Sequence, residues 1–142
     1  MKFLFDTDHI SALQRRSNSR HAALCARLLL VGPKDVAFSV ISFHEQVLGA
    51  HAFLNRASNS AALVRGYELF EIILGSFAQA QVLRFDSIAA QKYEELVAMR
   101  LRVGSMDLKI AAIALTSGFT VITSNTRDFG RVPSLATEDW TT

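Results

Sequence analysis

Lys2-Phe3-Leu4-Phe5-Asp6-Thr7-Asp8 sets three large apolar side chains in a row and runs them straight into a carboxylate, with another carboxylate two positions on. A short continuous apolar run without alternation reads as a strand buried on both faces. Strands of that kind belong to parallel sheets covered by helices. Asp6 and Asp8 then stand where the strand leaves the sheet. In open α/β sheets, ligands bind just past the carboxyl ends of the strands. This one stretch therefore predicts a fold class and the sheet edge that carries a site.

Outward from it, His9-Ile10-Ser11-Ala12-Leu13 reads as a short helix with Ile10 and Leu13 on one face and Asp8 as N-cap. The basic segment from Arg15 to Arg20 is a turn. Asn18 or Ser19 opens a second helix that runs to Leu30, and Gly32-Pro33 ends it. Val36 to Val40 is a second strand. Ser42-Phe43-His44-Glu45 has the form of a capping box, ahead of a helix with Phe43, Val47, Ala50 and Leu54 on one face. A polar turn then leads to a long helix with the stripe Leu63, Tyr67, Phe70, Leu74 and Phe77, widened by Ile72 and Ile73. The stripe is read as core, with a second copy of the chain as the alternative cover. Gln81 to Phe85 is a third strand, and Asp86 caps a helix that reaches Val103. Ser105-Met106-Asp107 opens a strongly apolar helix closed by Gly118. Thr120 to Thr123 is a fourth strand, Ser124 to Phe129 a short turn or helix, and the tail ends near Trp140. Strands alternating with helices predict an α/β fold, a three-layer sandwich around a central parallel sheet of four to five strands, with residues 1–142 as a single domain.

Half of the 142 residues are apolar and two are proline, which excludes a disordered chain. No run approaches the ~20 apolar residues of a membrane span. Asp6 and Asp8 interrupt the apolar N-terminal stretch, so no secretory signal is expected. Cys25 is the single cysteine. With no internal disulfide to form, the chain suits a reducing compartment, most simply the cytoplasm. The formal charge is +2. If Asp6, Asp8, Glu45, Asp107 and Asp128 share one site, eight of the thirteen acids remain elsewhere against fifteen Lys and Arg. A cationic surface around an acidic pocket suits a polyanionic substrate.

Each acid also has a plain structural reading. Asp8 caps a helix, Glu45 completes the capping box, Asp107 favours the positive end of a helix dipole, and Asp128 pairs with Asn125 in another cap. Asp6 has no such role. The combined pattern favours chemistry: Asp6, Glu45 and Asp128 follow strands one, two and four, and Asp107 opens the helix before strand four. A parallel sheet puts these on one edge, where like charges raise one another's pKa. A hard divalent cation, Mg²⁺ or Mn²⁺, relieves that repulsion through oxygen ligands. Thr123, Ser124 and Asn125 add neutral oxygens. His44-Glu45 fails as a zinc-protease motif because position 48 is Leu. His9, His21, His44 and His51 have no ligand spacing and read as ordinary polar positions, and Cys25 reads as core.

The chain resembles the PIN-domain nucleases, specifically the VapC-like toxins of bacterial toxin–antitoxin pairs. The matching pieces are Phe5-Asp6-Thr7-Asp8-His9-Ile10-Ser11, Ser39-Val40-Ile41-Ser42 leading to Glu45, Asp107 to Ala114, Val121-Ile122-Thr123-Ser124-Asn125 with Asp128-Phe129, and Glu138-Asp139-Trp140. It departs from the family at Gln46-Val47, where Leu is frequent near the second acid, and at Ser124, where Arg is frequent. The resemblance implies a Mg²⁺- or Mn²⁺-dependent endoribonuclease. Asp6, Glu45 and Asp107 would be principal metal ligands, Asp128 would complete the set, and Asp8 and Thr123 would support it. It also implies a homodimer and a cognate antitoxin that blocks the acidic pocket. Arg15, Arg16, Arg20, Arg100, Arg102 and Lys109 are candidates to hold the RNA backbone, against the reading of a solvated charged face. Two rival readings stay open on the residues: a haloacid-dehalogenase-type phosphohydrolase with Asp6 as nucleophile, and a non-catalytic module whose acids bind a basic partner.

Overall fold

A computed structural model describes residues 1–16 and 19–142. Five short strands, β1 (Phe3–Phe5), β2 (Val36–Ser39), β3 (Val82–Leu83), β4 (Thr120–Ile122) and β5 (Thr137–Glu138), form one sheet in the order β3-β2-β1-β4-β5. Every neighbouring pair is parallel, with Leu4 opposite Ala37 on one side and Val121 on the other. Successive crossovers run outward through β2 and β3, and β4 then returns to the far side of β1. The direction of the sheet reverses at β1, which opens a crevice past its carboxyl end.

β1 is buried on both faces because its side chains feed two separate cores. Phe3 and Phe5 point to one side, with Ile10, Leu24, Phe38, Ile73, Phe77, Ile122 and Trp140. Leu4 points to the other, with Ala37, Ile41, Leu96, Leu108, Val121 and the apolar run Ile110–Ala114. This period-two division of a wholly apolar run is what a covered parallel strand requires. Helices α1 (Thr7–Gln14), α2 (Ser19–Leu28), α3 (Val40–Asn55), α4 (Ser60–Ala78), α5 (Ser87–Ala98), α6 (Ser105–Ser117) and α7 (Thr126–Phe129) complete the layers. Among the described residues no helix is long and apolar enough to cross a membrane.

Several local expectations are corrected. Asp6, not Asp8, is the N-cap of α1: β1 ends at Phe5, so the chain turns at Asp6, whose carboxylate accepts from the Thr7 N–H. Ser39, not Ser42, caps α3, because its hydroxyl accepts from the Ser42 N–H. The second strand therefore stops at Ser39, Val40 is already helical, and Glu45 belongs to no capping box. α2 starts at Ser19 and stops at Leu28, and the alternative start at Asn18 lies outside the described residues. Leu29 and Leu30 find no surface to pack on and stay exposed. The third strand shrinks to Val82–Leu83. Asp86 does cap α5, accepting from the Ala89 N–H, but the helix ends at Ala98 rather than Val103. Arg100 and Arg102 turn the chain with φ of 53° and 59°, in the left-handed region that ends helices. Gly118 closes α6 in the same region, with φ 74°.

The stripe on α4 is core only in part. Leu63, Tyr67 and Leu74 are exposed, and the buried face is Gly66, Ile73 and Phe77. A Cβ at Gly66 would collide with Leu54, so the glycine sets how closely α4 approaches α3. α2 buries only Leu24, which leaves Cys25 half-buried beside His21 Nε2 at 3.2 Å rather than in the core.

Candidate active site

The crevice past β1 is lined by carboxylates from four elements. Asp6 is buried at the strand end. Its Oδ1 accepts from the Thr7 N–H and its Oδ2 from the Thr123 hydroxyl, both at 2.8 Å. Thr123 sits one residue beyond β4, the neighbouring strand, so register alone delivers it to Asp6. Its hydroxyl oxygen also accepts from the Asn125 N–H at 2.9 Å, which leaves the proton aimed at Asp6. Asp8, in the first turn of α1, accepts from the Ser124 N–H at 3.0 Å. Glu45, on α3, accepts from the Thr7 hydroxyl at 2.7 Å. On the far side Asn125 Nδ2 donates to Asp128 at 3.2 Å and to Asp107, in the first turn of α6, at 3.4 Å. Asn125 thus ties two acids of the site together instead of capping α7, where it makes no side-chain cap bond.

These acids repel. Burial, then the charge of Asp8, pushes the Asp6 carboxyl up to about 7, with Asp107 adding a smaller push. Burial, then Glu45, Asp128 and Asp8, pushes Asp107 up to about 6. Asp107 therefore feels all three of the acids that approach it from α1, α3 and α7. Hydrogen bonds from Thr123 and Asn125 oppose these shifts without cancelling them. The donor set is wholly oxygen, it is over-charged, and it suits a hard divalent cation in kind. Among the described residues no three His, Cys, Asp or Glu side chains stand close enough to form a ready-made cage. Mg²⁺ asks for less, since it commonly takes one or two carboxylates and keeps several waters. The residues present fit such an ion.

The structure brings Asp6, Asp8, Glu45, Thr123, Asn125, Asp107 and Asp128 into one hydrogen-bonded and electrostatic group. It disperses the basic candidates. Arg15 lines a groove with Thr7 and Glu45, while Arg16 lines a different hollow with His21 and Glu71. Arg20 donates to the Ser124 hydroxyl at 2.7 Å, placing a guanidinium beside a position where the family often carries Arg. Arg102 is exposed, and its carbonyl accepts from Arg131, which also contacts Asp128 at 3.3 Å. Arg100 is exposed on the same loop. Lys109 lies over the Tyr93 ring at 5.7 Å. It is two residues from Asp107 on α6, a spacing that turns the two side chains apart.

The largest surprise is His9, which is no ordinary polar position. It is wholly buried, with Nδ1 2.8 Å from Asp8 Oδ1 and Nε2 accepting from the Trp140 N–H at 3.1 Å. Because a backbone N–H claims Nε2 as acceptor, the ring proton sits on Nδ1 and is donated to Asp8. His9 therefore couples an acid of the site to the C-terminal segment. Trp140 is itself fixed against Phe3 and Phe5, with ring centroids 4.9 and 5.5 Å away. Only the direct adjacency of Asp8 and His9 hinted at this in the sequence.

The PIN domain family model matches residues 3–135. The chain belongs to the PIN-domain family. Among its relatives, the tRNA(fMet)-specific endonuclease VapC of Salmonella typhimurium is 31% identical over 109 residues, 74% of this chain and 75% of that protein. The tRNA(fMet)-specific endonuclease VapC of Shigella flexneri is 40% identical over 73 residues, 49% of this chain and 55% of that protein. The match thus spans just over half the length of the Shigella protein. In three dimensions the chain is similar to the DNA-bound VapBC of Salmonella typhimurium, with a TM-score of 0.78, 26% identity and coverage of 99% of this chain and 98% of that one. With the chain in this family, the dehalogenase-like reading falls away. The parallel five-stranded sheet agrees with the expected PIN architecture.

Proposed function

We propose that the chain, acting as one nuclease domain, is a Mg²⁺- or Mn²⁺-dependent endoribonuclease and the toxin of a cytoplasmic toxin–antitoxin pair. The observation that carries this reading is Asp6, a buried carboxylate raised to about 7 by burial and by its acidic neighbours, at the carboxyl end of the central strand. Asp6, Glu45, Asp107 and Asp128 would form the acidic set around the ion, one or two of them bound to it directly and the others through its waters, with Asp8, Thr123 and Asn125 in support. A divalent ion bound there would supply an activated water and charge neutralisation at the phosphate. The chain's part is positioning. Thr123 and the Thr7 N–H fix the Asp6 oxygens, Thr7 orients Glu45, and Asn125 spaces Asp107 from Asp128. Such fixed carboxylates need no reorganisation when charge develops on the substrate.

Transfer RNA is the first substrate to try, since the two VapC relatives are named for cutting it. Purified protein incubated with a panel of transfer and ribosomal RNAs should cut at defined sites with Mg²⁺ or Mn²⁺ and stop on adding EDTA. Cleavage that survives EDTA, or no cleavage of any RNA with either ion, sinks the reading. Two partners follow. A cognate antitoxin would cover the acidic crevice, and the likeness to a DNA-bound VapBC supports a partner of that kind. A second copy of the chain would cover Leu63, Tyr67 and Leu74, which α4 leaves exposed. Sedimentation that finds only monomer at micromolar concentration would remove the dimer.

A further inference from the structure

A groove of about 380 Å³ begins at Thr7 and Glu45, on the rim of the acidic crevice, and runs between α1, α3 and α4. That volume lies within the range of small-ligand clefts. Its floor is apolar and small, with Ala50 and Ile73 buried. Arg15 stands on one wall and Arg65, paired with Glu68 at 3.4 Å, on the other. Between the walls lie two amides, Gln14 on α1 and Gln46 on α3, the latter at a place where the chain departs from its family.

The two amides are bound to each other reciprocally. Gln14 Nε2 donates to Gln46 Oε1 at 3.1 Å, and Gln46 Nε2 donates to Gln14 Oε1 at 2.9 Å. The second proton of each amide goes to a serine, from Gln14 to Ser76 at 3.1 Å and from Gln46 to Ser11 at 3.2 Å. The pair is therefore satisfied while the groove is empty. An amide carries a donor beside an acceptor, and so does the edge of a nucleobase. A glutamine that takes a base in place of its amide partner keeps its own bond count, and the released amide turns to a second edge of that base or to water. The arginines match the phosphates that flank that base, and the apolar floor matches its ring.

We propose that this groove is a base-reading subsite, in which Gln46 and Gln14 recognise one nucleobase of single-stranded RNA next to the phosphate held at the acidic crevice. The inference rests on the reading of the chain as an RNA-cutting nuclease. Continuity with the crevice through Thr7 and Glu45, together with two cationic walls, favours RNA over a protein segment as the occupant.

The test maps cut sites of the whole protein on a randomised single-stranded RNA pool with Mg²⁺. The wild type should prefer particular bases at one position beside the cut. Gln46→Ala should flatten that preference by about tenfold, the scale of one lost bidentate base contact. Gln46→Glu keeps an acceptor and loses the donors, so the preference should move toward bases that donate, cytosine above all. Circular dichroism melting confirms that both variants fold. A Gln46→Ala profile equal to that of the wild type overturns the subsite while leaving the nuclease reading intact. If the wild type cuts nothing, the nuclease reading fails first, and anisotropy with RNA hexamers still judges the groove: equal affinity of Asp6→Asn and Asp6→Asn/Gln46→Ala proteins overturns it. Unchanged cut sites with weakened self-association would assign the groove to a second copy of the chain and likewise overturn the proposal.

Discussion

Asp6 and Asp139 hold nearly the same local hydrogen bonds and respond in opposite directions. Each accepts from a backbone N–H at 2.8 Å and from a threonine hydroxyl, Asp6 from Thr7 and Thr123, Asp139 from Thr141 twice. Burial raises both. At Asp139 the raise is outweighed by the Thr141 bonds and by the positive charge of nearby Arg20, so its carboxyl falls below the usual range. At Asp6 burial is deeper and the neighbours are Asp8 and Asp107, so the carboxyl climbs to about 7. Local bonding alone thus does not decide whether an acid is comfortable; depth and the sign of the surroundings do. The tail around Asp139 is built for stability. The crevice around Asp6 is built against its own charge, which is the usual mark of a site awaiting a cation.

Removing the strained acid should have the largest effect. Asp6→Asn is expected to lower RNA cleavage by ~100-fold or more, the scale of losing one preorganised electrostatic group. Wild-type cleavage by that variant, read on a gel time course, would break the assignment. The same substitution should stabilise the metal-free protein above neutral pH.

The pH dependence follows in sign. The Asp6 carboxyl moves from 3.8 to about 7 on folding. The native state therefore binds that proton more tightly, and the stabilisation it brings is full below the unfolded value and lost as pH rises through the folded one. Asp107, raised to about 6, adds in the same direction. Metal-free protein should melt roughly 5 °C lower or more at about pH 8 than at about pH 5. Mn²⁺ should restore most of that at the higher pH and little at the lower, where protons compete for the ligands. A flat melting profile without metal contradicts the repulsion.

The bridge between the two regions gives a smaller effect. His9→Leu removes the donor to Asp8 and should weaken Mn²⁺ binding by about tenfold in calorimetry, the lower end of the scale for groups that orient ligands. His9→Asn retains a donor near the Nδ1 position and should recover most of the affinity. Equal losses in both would mean that the ring matters only for packing.

Asp139→Asn should have the smallest effect. A carboxyl lowered on folding adds stability above its unfolded value and loses it as pH falls through the folded one. The variant should melt ~2 °C lower near neutral pH, with the difference vanishing in acid. Unaltered Mn²⁺ affinity in this variant would sharpen the contrast with Asp6.

Phe3-Leu4-Phe5 foretold the parallel sheet because burial on both faces leaves an unbroken apolar run, and the crossover helices were legible in their own periods. The acids were legible as a set because each follows a strand end or opens a helix. Other features were not. Ser-x-x-Glu at Ser42 looked like a cap, yet Ser39 took that role, since β2 ends one residue sooner than its apolar run suggests. Of the stripe on α4 only Ile73 and Phe77 are buried, and the close approach of α4 to α3 at Gly66 against Leu54 is a fit that no periodicity encodes.

By itself the sequence determined the layered α/β architecture, the family, and the gathering of Asp6, Glu45, Asp107 and Asp128 at one edge. The architecture and the shared edge follow from hydrophobic period and strand direction, and the family from its resemblance in short motifs; all of these are local. The tertiary structure alone decided that Thr123 locks Asp6, that His9 carries Trp140 to Asp8 across 131 residues, and that Gln14 faces Gln46. Each of these is a contact between segments distant in the chain. Such contacts are set by how helices rotate and pack on the sheet, and the spacing of residues along one segment carries no record of that.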